Sequence, residues 1–458
     1  MMNKLIDKIK AELGESIILT GDDVEQRYAV DWSRENPHLP EVVLRPRSTQ
    51  EVSTILKLCN EAGQQIVTQG GMTGLAGGAT PRPTEWALSL ERLNGVVELD
   101  TESLTLTARA GTPLERLQTA ARDAGLMLPL DLGARGSCTI GGNVATNAGG
   151  NQVIQYGMTR SLVLGLEAVM ADGTIISSKN KLLKNNTGFD LKHLFIGSEG
   201  SLGVVTEVVL RLFPANSSRQ SALCGVSSFK NVVTLLHTMK RRLPVISSFE
   251  VMWENYYRYA IENVEHTRDP FQDRHAYYVL LESDGNDPEQ DEQTFQSALF
   301  EEIENCIIKD AILAQSLQDR GDFWLIRDAV GEILRLFKNE ANFDIGIPLN
   351  ETASCMEEIE TTLKAKYGDL TYMVFGHLGD GNLHVIATTG DKQDTQDIYD
   401  IVYKITGEHH GAIAAEHGIG MLKKPWLHLS RTEQEIALMR QLKQALDPKN
   451  ILNPGRVI

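Results

Sequence analysis

Apolar positions recur at two spacings along this chain, and the places where the spacing changes mark its elements. Residues 41–70 open with the run EVVLRP, continue with Val52, Ile55, Leu56 and Cys59 on one helical face, and close with QQIVTQ. Ser48 and Glu51 have the spacing of a capping box and Gly63 stands where such a helix would stop, so the stretch predicts strand, helix, strand, a βαβ unit. Thr112, Pro113 and Glu115 predict a second helix start, with an N-cap, a proline at the first helical position and a capping-box glutamate, and Gly125 closes that helix. Residues 164–176 and 203–212 read as strands, the first turning at Asp172-Gly173. Pro214 and the polar stretch ANSSRQS then mark a boundary. Beyond it helical and strand patterns alternate without glycine clusters to about residue 375, and glycine returns from Glu416 to the closing LDPKNILNPGRVI. The pattern predicts an α+β chain in three parts, 1–215, 216–411 and 412–458.

Composition narrows the class. The 458 residues are 42% hydrophobic and 23% charged, and no window of about 18 residues is uninterruptedly apolar, so no transmembrane segment is expected. A net charge of −17 has the wrong sign for gripping a phosphate backbone, which excludes nucleic acid as a partner. Residues 281–305 carry nine acidic side chains and no basic one, which reads as a solvated loop and helix face. The five cysteines are odd in number, widely spaced and contain no C-x-x-C, which argues against a disulfide framework or a thiolate metal site and for a reducing compartment. Lys and Glu interrupt the apolar positions of MMNKLIDKIKAELGESI, so it lacks the core of a signal peptide, and the expected location is cytoplasmic.

Glycine is the uneven residue: 22 of 39 lie between Gly63 and Gly203. They are interleaved with Val, Ile and Leu, unlike a flexible linker. Gln69 to Gly78 follows a predicted strand, and its amides could form a nest for a pyrophosphate. It is not a nicotinamide fingerprint, because Pro81 and Pro83 arrive where a helix would have to open. Two further clusters are Gly136 to Gly150 and Gly197 to Gly203, and each alone could be a tight turn.

Candidate chemistry lies elsewhere. In His377-Leu378-Gly379-Asp380-Gly381-Asn382-Leu383-His384, an Asp-Gly pair between apolar strands predicts a two-residue hairpin turn. His377 would then face His384, and Phe375 would face Ile386, with opposed Cβ atoms roughly 4.5–5.5 Å apart. That geometry lets two imidazoles share a divalent metal, although two strand histidines without a metal fit the pattern equally. Glu416-His417, in AAEHGIG, sets a carboxylate beside a base. Arg327, in FWLIRD, would alone read as a helix surface arginine.

Taken in order, PEVVLRPRSTQEV, GGMTGLAGG, PLDLGARGSCTIGGNVATNAGG, NNTGFDLKHLFIGSEGSLGVVTEV, FGHLGDGNLH, AAEHGIG and LDPKNILNPG closely resemble the FAD-linked D-2-hydroxyacid dehydrogenases of the vanillyl-alcohol oxidase and p-cresol methylhydroxylase superfamily, in the branch of D-2-hydroxyglutarate and D-lactate dehydrogenases. The resemblance runs over nearly the whole chain. It implies a two-subdomain FAD-binding fold over 1–215, an α+β substrate cap over 216–411 and a C-terminal segment over 412–458 that returns to the active site. FAD would be held by Gly70, Gly71, Met72, Thr73 and Gly74 at the pyrophosphate, by Ser137, Gly141, Gly142, Asn143 and Val205 along the adenine and ribose, and by Asn453 near the flavin. The first glycine loop offers neither His nor Cys, so the flavin is expected to be non-covalent. By the same resemblance Glu416 joins His377 and His384 as a ligand of Zn or Mn, His417 is the general base, and Arg327 clamps the substrate carboxylate.

The sequence departs from the D-2-hydroxyglutarate enzymes where they place polar groups for the distal carboxylate. Asn342, Gly331 and Ile386 stand at those positions here. Ile386 lies two residues past His384 and so on its face, with Phe375 expected opposite, giving an apolar wall in which a carboxylate without donors would cost several kcal/mol. The expected reaction is therefore oxidation of a D-2-hydroxy acid with a short or apolar side chain, such as D-lactate, to the 2-oxo acid. A D-2-hydroxyglutarate dehydrogenase and a glycolate oxidase-type subunit are the alternatives within the fold, and a metal-dependent hydrolase with a nucleotide-binding domain, or a non-catalytic binding module, outside it. Electron-transfer flavoprotein, quinone, cytochrome and oxygen remain candidate electron acceptors, and a homodimer a candidate assembly.

Overall fold

The computed structural model describes residues 2–458. The chain divides into two compact units, one formed by the chain up to Gly150 with Gly157–Ala215 and Glu416–Ile458, the other by Asn151–Tyr156 with Asn216–Ala415. Among the described residues no helix is long and apolar enough to cross a membrane.

In the first unit, α1 (Met2–Leu13) precedes a four-stranded sheet of β1 (Ile18–Thr20), β2 (Val42–Leu44), β3 (Ile66–Gln69) and β4 (Trp86–Ser89), in the order β1-β2-β4-β3. β2, β4 and β3 run parallel, so the predicted βαβ unit exists but its two strands flank β4 instead of pairing with each other. The helix between them, α2 (Thr49–Ala62), buries Val52, Ile55, Leu56 and Cys59 against Trp86 and Leu88 in one hydrophobic cluster. Ser48 Oγ accepts from Glu51 N at 3.2 Å as expected, whereas the Glu51 carboxylate takes Arg47 N–H at 2.6 Å, one residue before the cap. Gly63, at φ +71, ends the helix in the left-handed conformation that glycine adopts without strain.

A second sheet, wholly antiparallel, comprises β5 (Val96–Asp100), β6 (Thr105–Arg109), β8 (Val163–Val169), β9 (Ile175–Ser178) and β10 (Val204–Arg211) in the order β5-β6-β10-β8-β9, while β7 (Leu126–Met127) pairs with β11 (Phe213–Pro214). The expected cap at Thr112 is corrected: its hydroxyl donates to Arg109 O at 2.6 Å and accepts from Gly95 N at 2.8 Å, so α3 (Leu114–Asp123) starts after Pro113 without a side-chain cap. The glycine-rich stretch after Gly136 is not all loop, since Ile140–Thr146 forms a short helix, α4.

The C-terminal segment is sewn onto the exposed edge of β3. Ile66 N donates to Ile451 O at 2.7 Å and Asn453 N to Ile66 O at 2.8 Å, continuing the parallel ladder. The tail then buries Arg456 completely, its guanidinium donating to Glu85 Oε2 at 2.8 Å and to the carbonyls of Thr80 and Pro454. Burial alone would raise the Glu85 carboxyl, but Arg456 and Arg82 outweigh it and hold the group below the usual carboxylate range.

The second unit is built on a seven-stranded antiparallel sheet. Its main elements in chain order are β12 (Ser218–Val226), α5 (Phe229–Arg242), β13 (Ile246–Trp253), α6 (Glu254–Asn263), β14 (Tyr277–Gly285), α7 (Pro288–Glu304), β15 (Ile308–Leu313), α8 (Leu317–Arg327), α9 (Val330–Leu336), β16 (Ala341–Gly346), α10 (Thr352–Tyr367), β17 (Thr371–His377), β18 (Asn382–Thr388) and α11 (Lys392–Glu408), and the strands lie in the order β15-β12-β14-β13-β17-β18-β16. One face packs Tyr256, Tyr257 and Ala260 of α6, Phe323 and Ile326 of α8 and Ile333 of α9 against Met252, Tyr278, Leu280, Met373, Phe375 and Ile386 of the strands. The acidic run over 281–305 is partly spent inside the unit, where Asp284 pairs with Arg219 and Glu282 with Arg320 and Trp324.

Arg456→Ala should lower the stability of the protein by about 3–5 kcal/mol in urea unfolding at neutral pH, because it leaves a buried carboxylate with Arg82 alone and takes the guanidinium donors from the Thr80 and Pro454 carbonyls. Glu85 has a depressed folded value, so its contribution is complete above its unfolded value near 4.3 and is lost as pH falls through the folded one. The gap between wild type and variant should therefore narrow on acidification below about pH 4.

Candidate functional site

Two sets of side chains carry candidate chemistry, one in each unit. In the first unit the loop leaving β3 lies directly on the second glycine cluster. A Cβ on Gly71 would meet Ser137 O at 2.0 Å, and one on Gly70 would meet Thr139 Oγ1 at 2.5 Å, so only bare backbone fits. Gln69 holds the ends of this loop together, its Nε2 donating to Tyr28 O at 2.9 Å and Ala79 O at 3.0 Å. Met72 adopts a left-handed φ of +57, and Thr73 and Gly74 follow it around the turn. Thr139 precedes α4 without capping it, and its buried Oγ1 has no hydrogen-bond partner among the described residues. Gly141 and Asn143 are buried in α4, Gly142 is half-buried, Val205 is buried in β10, and Ser137 is exposed.

The third glycine cluster contributes Glu199, a residue the sequence reading passed over. Its carboxylate accepts Ile419 N–H at 2.7 Å and Gly420 N–H at 2.8 Å, and burial still pushes its carboxyl above the ordinary range. Asn453 connects this cluster to β3, accepting Thr68 N–H at 2.8 Å through Oδ1 and donating to Glu199 O at 2.6 Å through Nδ2. Bare backbone at a close approach, an orphaned hydroxyl at the start of α4 and an amide-lined loop suit a pyrophosphate-bearing group, so these residues fit FAD.

In the second unit the hairpin register differs from the expectation. His377 pairs with Asn382, Phe375 with His384 and Met373 with Ile386, leaving a four-residue loop, Leu378–Gly381, in place of a two-residue turn. Asp380 N donates to His377 O, Gly381 N to Leu378 O, and Asp380 Oδ1 accepts from Asn382 N at 3.2 Å, so Asp380 caps the incoming strand instead of occupying the turn centre. The slip is two residues, which preserves the face of every side chain. His377 and His384 are therefore diagonal neighbours, ring centroids 5.6 Å apart at 80°, and Phe375 is opposite His384, not Ile386.

Adding β13 and β16 extends the hairpin into three cross-strand rows on one sheet face. Glu250, His377, Asn382 and Gly346 form the first, Met252, Phe375, His384 and Asp344 the second, and Met373, Ile386 and Asn342 the third. Asn342 is exposed, while Ile386 is buried in the aromatic cluster.

Glu250 organises the first row. It is buried in β13 and accepts from Arg327 Nε at 2.8 Å, while its other oxygen lies 2.8 Å from His377 Nδ1. Burial would raise its carboxyl, but His377 and Arg327 outweigh burial and hold it low. A proton on Nδ1 leaves Nε2 with the lone pair, the tautomer a metal-ligating histidine needs, and Arg327 Nη2 lies 3.1 Å from that nitrogen. Arg327 ends α8, its carbonyl accepting from the buried Tyr256 hydroxyl at 2.7 Å and its guanidinium lying 5.3 Å over the Phe375 ring. The guanidinium is buried, not the surface arginine that its helix alone suggests. Burial works against its charge, yet Glu250 raises its pKa further above the usual arginine value.

Arg327, His377 and His384 thus come together on one face, and the buried Asp344 faces His384 from β16. Two imidazoles with a carboxylate could hold a transition metal. Ala415 N donates to Asp344 O at 3.2 Å, and the next residue, Glu416, begins the stretch belonging to the first unit. There Glu416 lies against bare backbone, since a Cβ on Gly149 would meet its Oε1 at 2.7 Å, and His417 is half-buried before Gly418. Glu250 and Asp344 were missed in the sequence; a lone glutamate inside the apolar strand ISSFEVMW was the available signal.

Residues 40–179 match the FAD binding domain family, and residues 215–457 match the FAD linked oxidase C-terminal domain family. The chain is 37% identical to the mitochondrial D-2-hydroxyglutarate dehydrogenase of Arabidopsis thaliana, over 100% of this chain and 82% of the relative. It is 38% identical to the mitochondrial D-2-hydroxyglutarate dehydrogenase of Bos taurus, over 96% and 81% respectively. Its fold is similar to that of p-cresol methylhydroxylase with substrate bound, at a TM-score of 0.81 and 17% identity, covering 99% of this chain and 96% of the other. Relatives named as mitochondrial overturn the expected cytoplasmic location. The physical reason is that free thiols report a reducing environment without saying which one.

Glu250→Ala should cost about 3–5 kcal/mol in chemical unfolding, since the buried Arg327 keeps only the half-exposed Asp328 as a counter-charge. Pairing it with Arg327→Met should recover most of that loss, and a double variant as unstable as the single one would contradict the assignment.

Proposed function

We propose that this chain, which belongs to the FAD-linked D-2-hydroxyacid dehydrogenases of the vanillyl-alcohol oxidase and p-cresol methylhydroxylase superfamily, prefers a D-2-hydroxy acid with a short or apolar side chain, such as D-lactate, and oxidises it with the help of Zn or Mn. That it is an FAD-dependent oxidoreductase follows from the family and sets aside the hydrolase and the non-catalytic module. The observation that carries the substrate preference is the apolar row of Met373 and Ile386 beside the histidines, where a second carboxylate would find no donor. The names of the relatives favour the other reading, D-2-hydroxyglutarate, which would have to use the exposed Asn342 at the end of that row.

Gly70, Gly71, Met72, Thr73 and Gly74, with Ser137, Gly141, Gly142, Asn143, Val205 and Asn453, would hold a non-covalent FAD, which would supply the two-electron acceptor when bound. Arg327 clamps the substrate carboxylate with its remaining guanidinium donors, its plane fixed by Glu250. His377, His384 and Glu416 would hold the metal, which when bound would supply Lewis-acid chemistry toward the substrate hydroxyl. Support for Glu416 is its place in the chain, one bond after the residue hydrogen-bonded to Asp344, the partner of His384. His417 removes the hydroxyl proton. The domain limits 1–215, 216–411 and 412–458 follow the same division of labour. An electron-transfer flavoprotein, a quinone or a cytochrome is the proposed electron acceptor.

Anaerobic addition of D-lactate or D-2-hydroxybutyrate should bleach the flavin, and the L-enantiomers should not. Rapid bleaching by D-2-hydroxyglutarate with none by D-lactate would overturn the preference. Ile386→Asn, which puts a donor and an acceptor into the apolar row, should shift the ratio of kcat/KM values toward D-2-hydroxyglutarate by about tenfold, roughly 1.4 kcal/mol.

A further inference from the structure

We infer that Asn382 contacts the substrate itself, its carboxamide reading the shared hydroxyl and carboxylate head of a 2-hydroxy acid rather than the side chain that varies between substrates; the inference rests on the function proposed above. Asn382 is only 4% exposed, yet its Oδ1 and its Nδ2 are both buried without a hydrogen-bond partner among the described residues. Leaving both halves of a buried amide unmade is expensive, and such groups are few in a folded protein. The residue has no structural duty that would explain it. Asp380, not Asn382, caps the strand, accepting the Asn382 N–H at 3.2 Å. Across the sheet its neighbours are His377 on one side and Gly346, which has no side chain to pair with it, on the other.

Position decides what the amide meets. Asn382 shares a face with His384 and lies directly opposite His377, two positions along the row from Glu250. A 2-hydroxy acid held by Arg327 beside these histidines presents carboxylate oxygens, which only accept, and a hydroxyl, which donates. A carboxamide offers one group for each, Nδ2–H for an oxygen and Oδ1 to orient the hydroxyl until His417 takes its single proton, without adding charge beside the guanidinium. The row containing Ile386 lies two rows, four residues, farther along the strand, so Asn382 is placed at the head and not at the variable side chain.

The test uses the flavin-loaded, metal-loaded enzyme with Asn382→Leu, a nearly isosteric apolar replacement. The readouts are kcat and KM for D-lactate, D-2-hydroxybutyrate and D-2-hydroxyglutarate, the Kd of pyruvate from its perturbation of the flavin spectrum, bound metal by elemental analysis, and Tm. The inference expects kcat/KM to fall about 10- to 100-fold by the same factor for every substrate wild type accepts, pyruvate binding to weaken, metal content to stay unchanged, and Tm to hold or rise because an unpaired amide has been removed. A lowered Tm with unchanged kcat/KM would make the residue structural; loss of metal would make it a ligand; and a factor that changes with side-chain length would make it a side-chain contact. Each of these overturns the inference. If Asn382→Leu does not fold, Asn382→Asp, which keeps the shape and sets a negative charge against the carboxylate, is expected to weaken pyruvate binding still more. Wild type left unbleached by every D-2-hydroxy acid overturns the proposed function and this inference together, whereas bleached wild type with an unaffected variant overturns the inference alone.

Discussion

The chemistry of the second unit depends on one carboxylate kept ionised where water does not reach. Glu250 stands in the middle of a seven-stranded sheet, with a guanidinium on one oxygen and an imidazole on the other. Any of the three groups alone would meet a desolvation cost of several kcal/mol in that place. Together they cancel one charge and satisfy the remaining donors, so they persist only as a set. The arrangement also orients: it selects the tautomer of His377 and turns the plane of Arg327.

The apolar packing around this set is what makes it strong. Tyr256 stacks on Phe375 at 4.1 Å, Phe375 lies against His384 at 5.0 Å, and the same tyrosine anchors the end of α8 through the Arg327 carbonyl. Aromatic rings thus fix the helix end from which Arg327 projects, and the low dielectric they create strengthens every charged hydrogen bond beside them. The C-terminus of α8 adds its own negative potential near the cation.

The first unit solves a different problem, holding glycine loops that have few side chains of their own. Its answer is to borrow groups from far along the sequence. Asn453 ties the third glycine cluster to β3, and Arg456 reaches the carbonyls of Gly78 and Thr80 at the end of the first loop. Main-chain hydrogen bonds satisfied by a distant tail make a loop rigid without a bulky residue inside it.

Local physics made much of this readable in advance. The helix α2, its serine cap and its glycine stop follow from contacts within four residues, and so do the strands around Asp172-Gly173. That His377 and His384 share a face follows from the period of two along a strand, which survives a slip of two residues. The slip itself was not readable, because the loop closes through Asp380 and its cap rather than through the Asp-Gly pair. Thr112 failed as a cap for a similar reason, its hydroxyl being taken by Gly95, 17 residues away. Glu250 is 127 residues from His377 and 77 from Arg327, and nothing local announces that the three meet. The sequence by itself determined the elements, the glycine-lined loops and the face on which the histidines stand, because spacing and conformational preference act within a few residues. Only the tertiary structure decided the partners, because the pairing of buried charges is set by which strands become neighbours, and neighbours in a sheet come from anywhere in the chain.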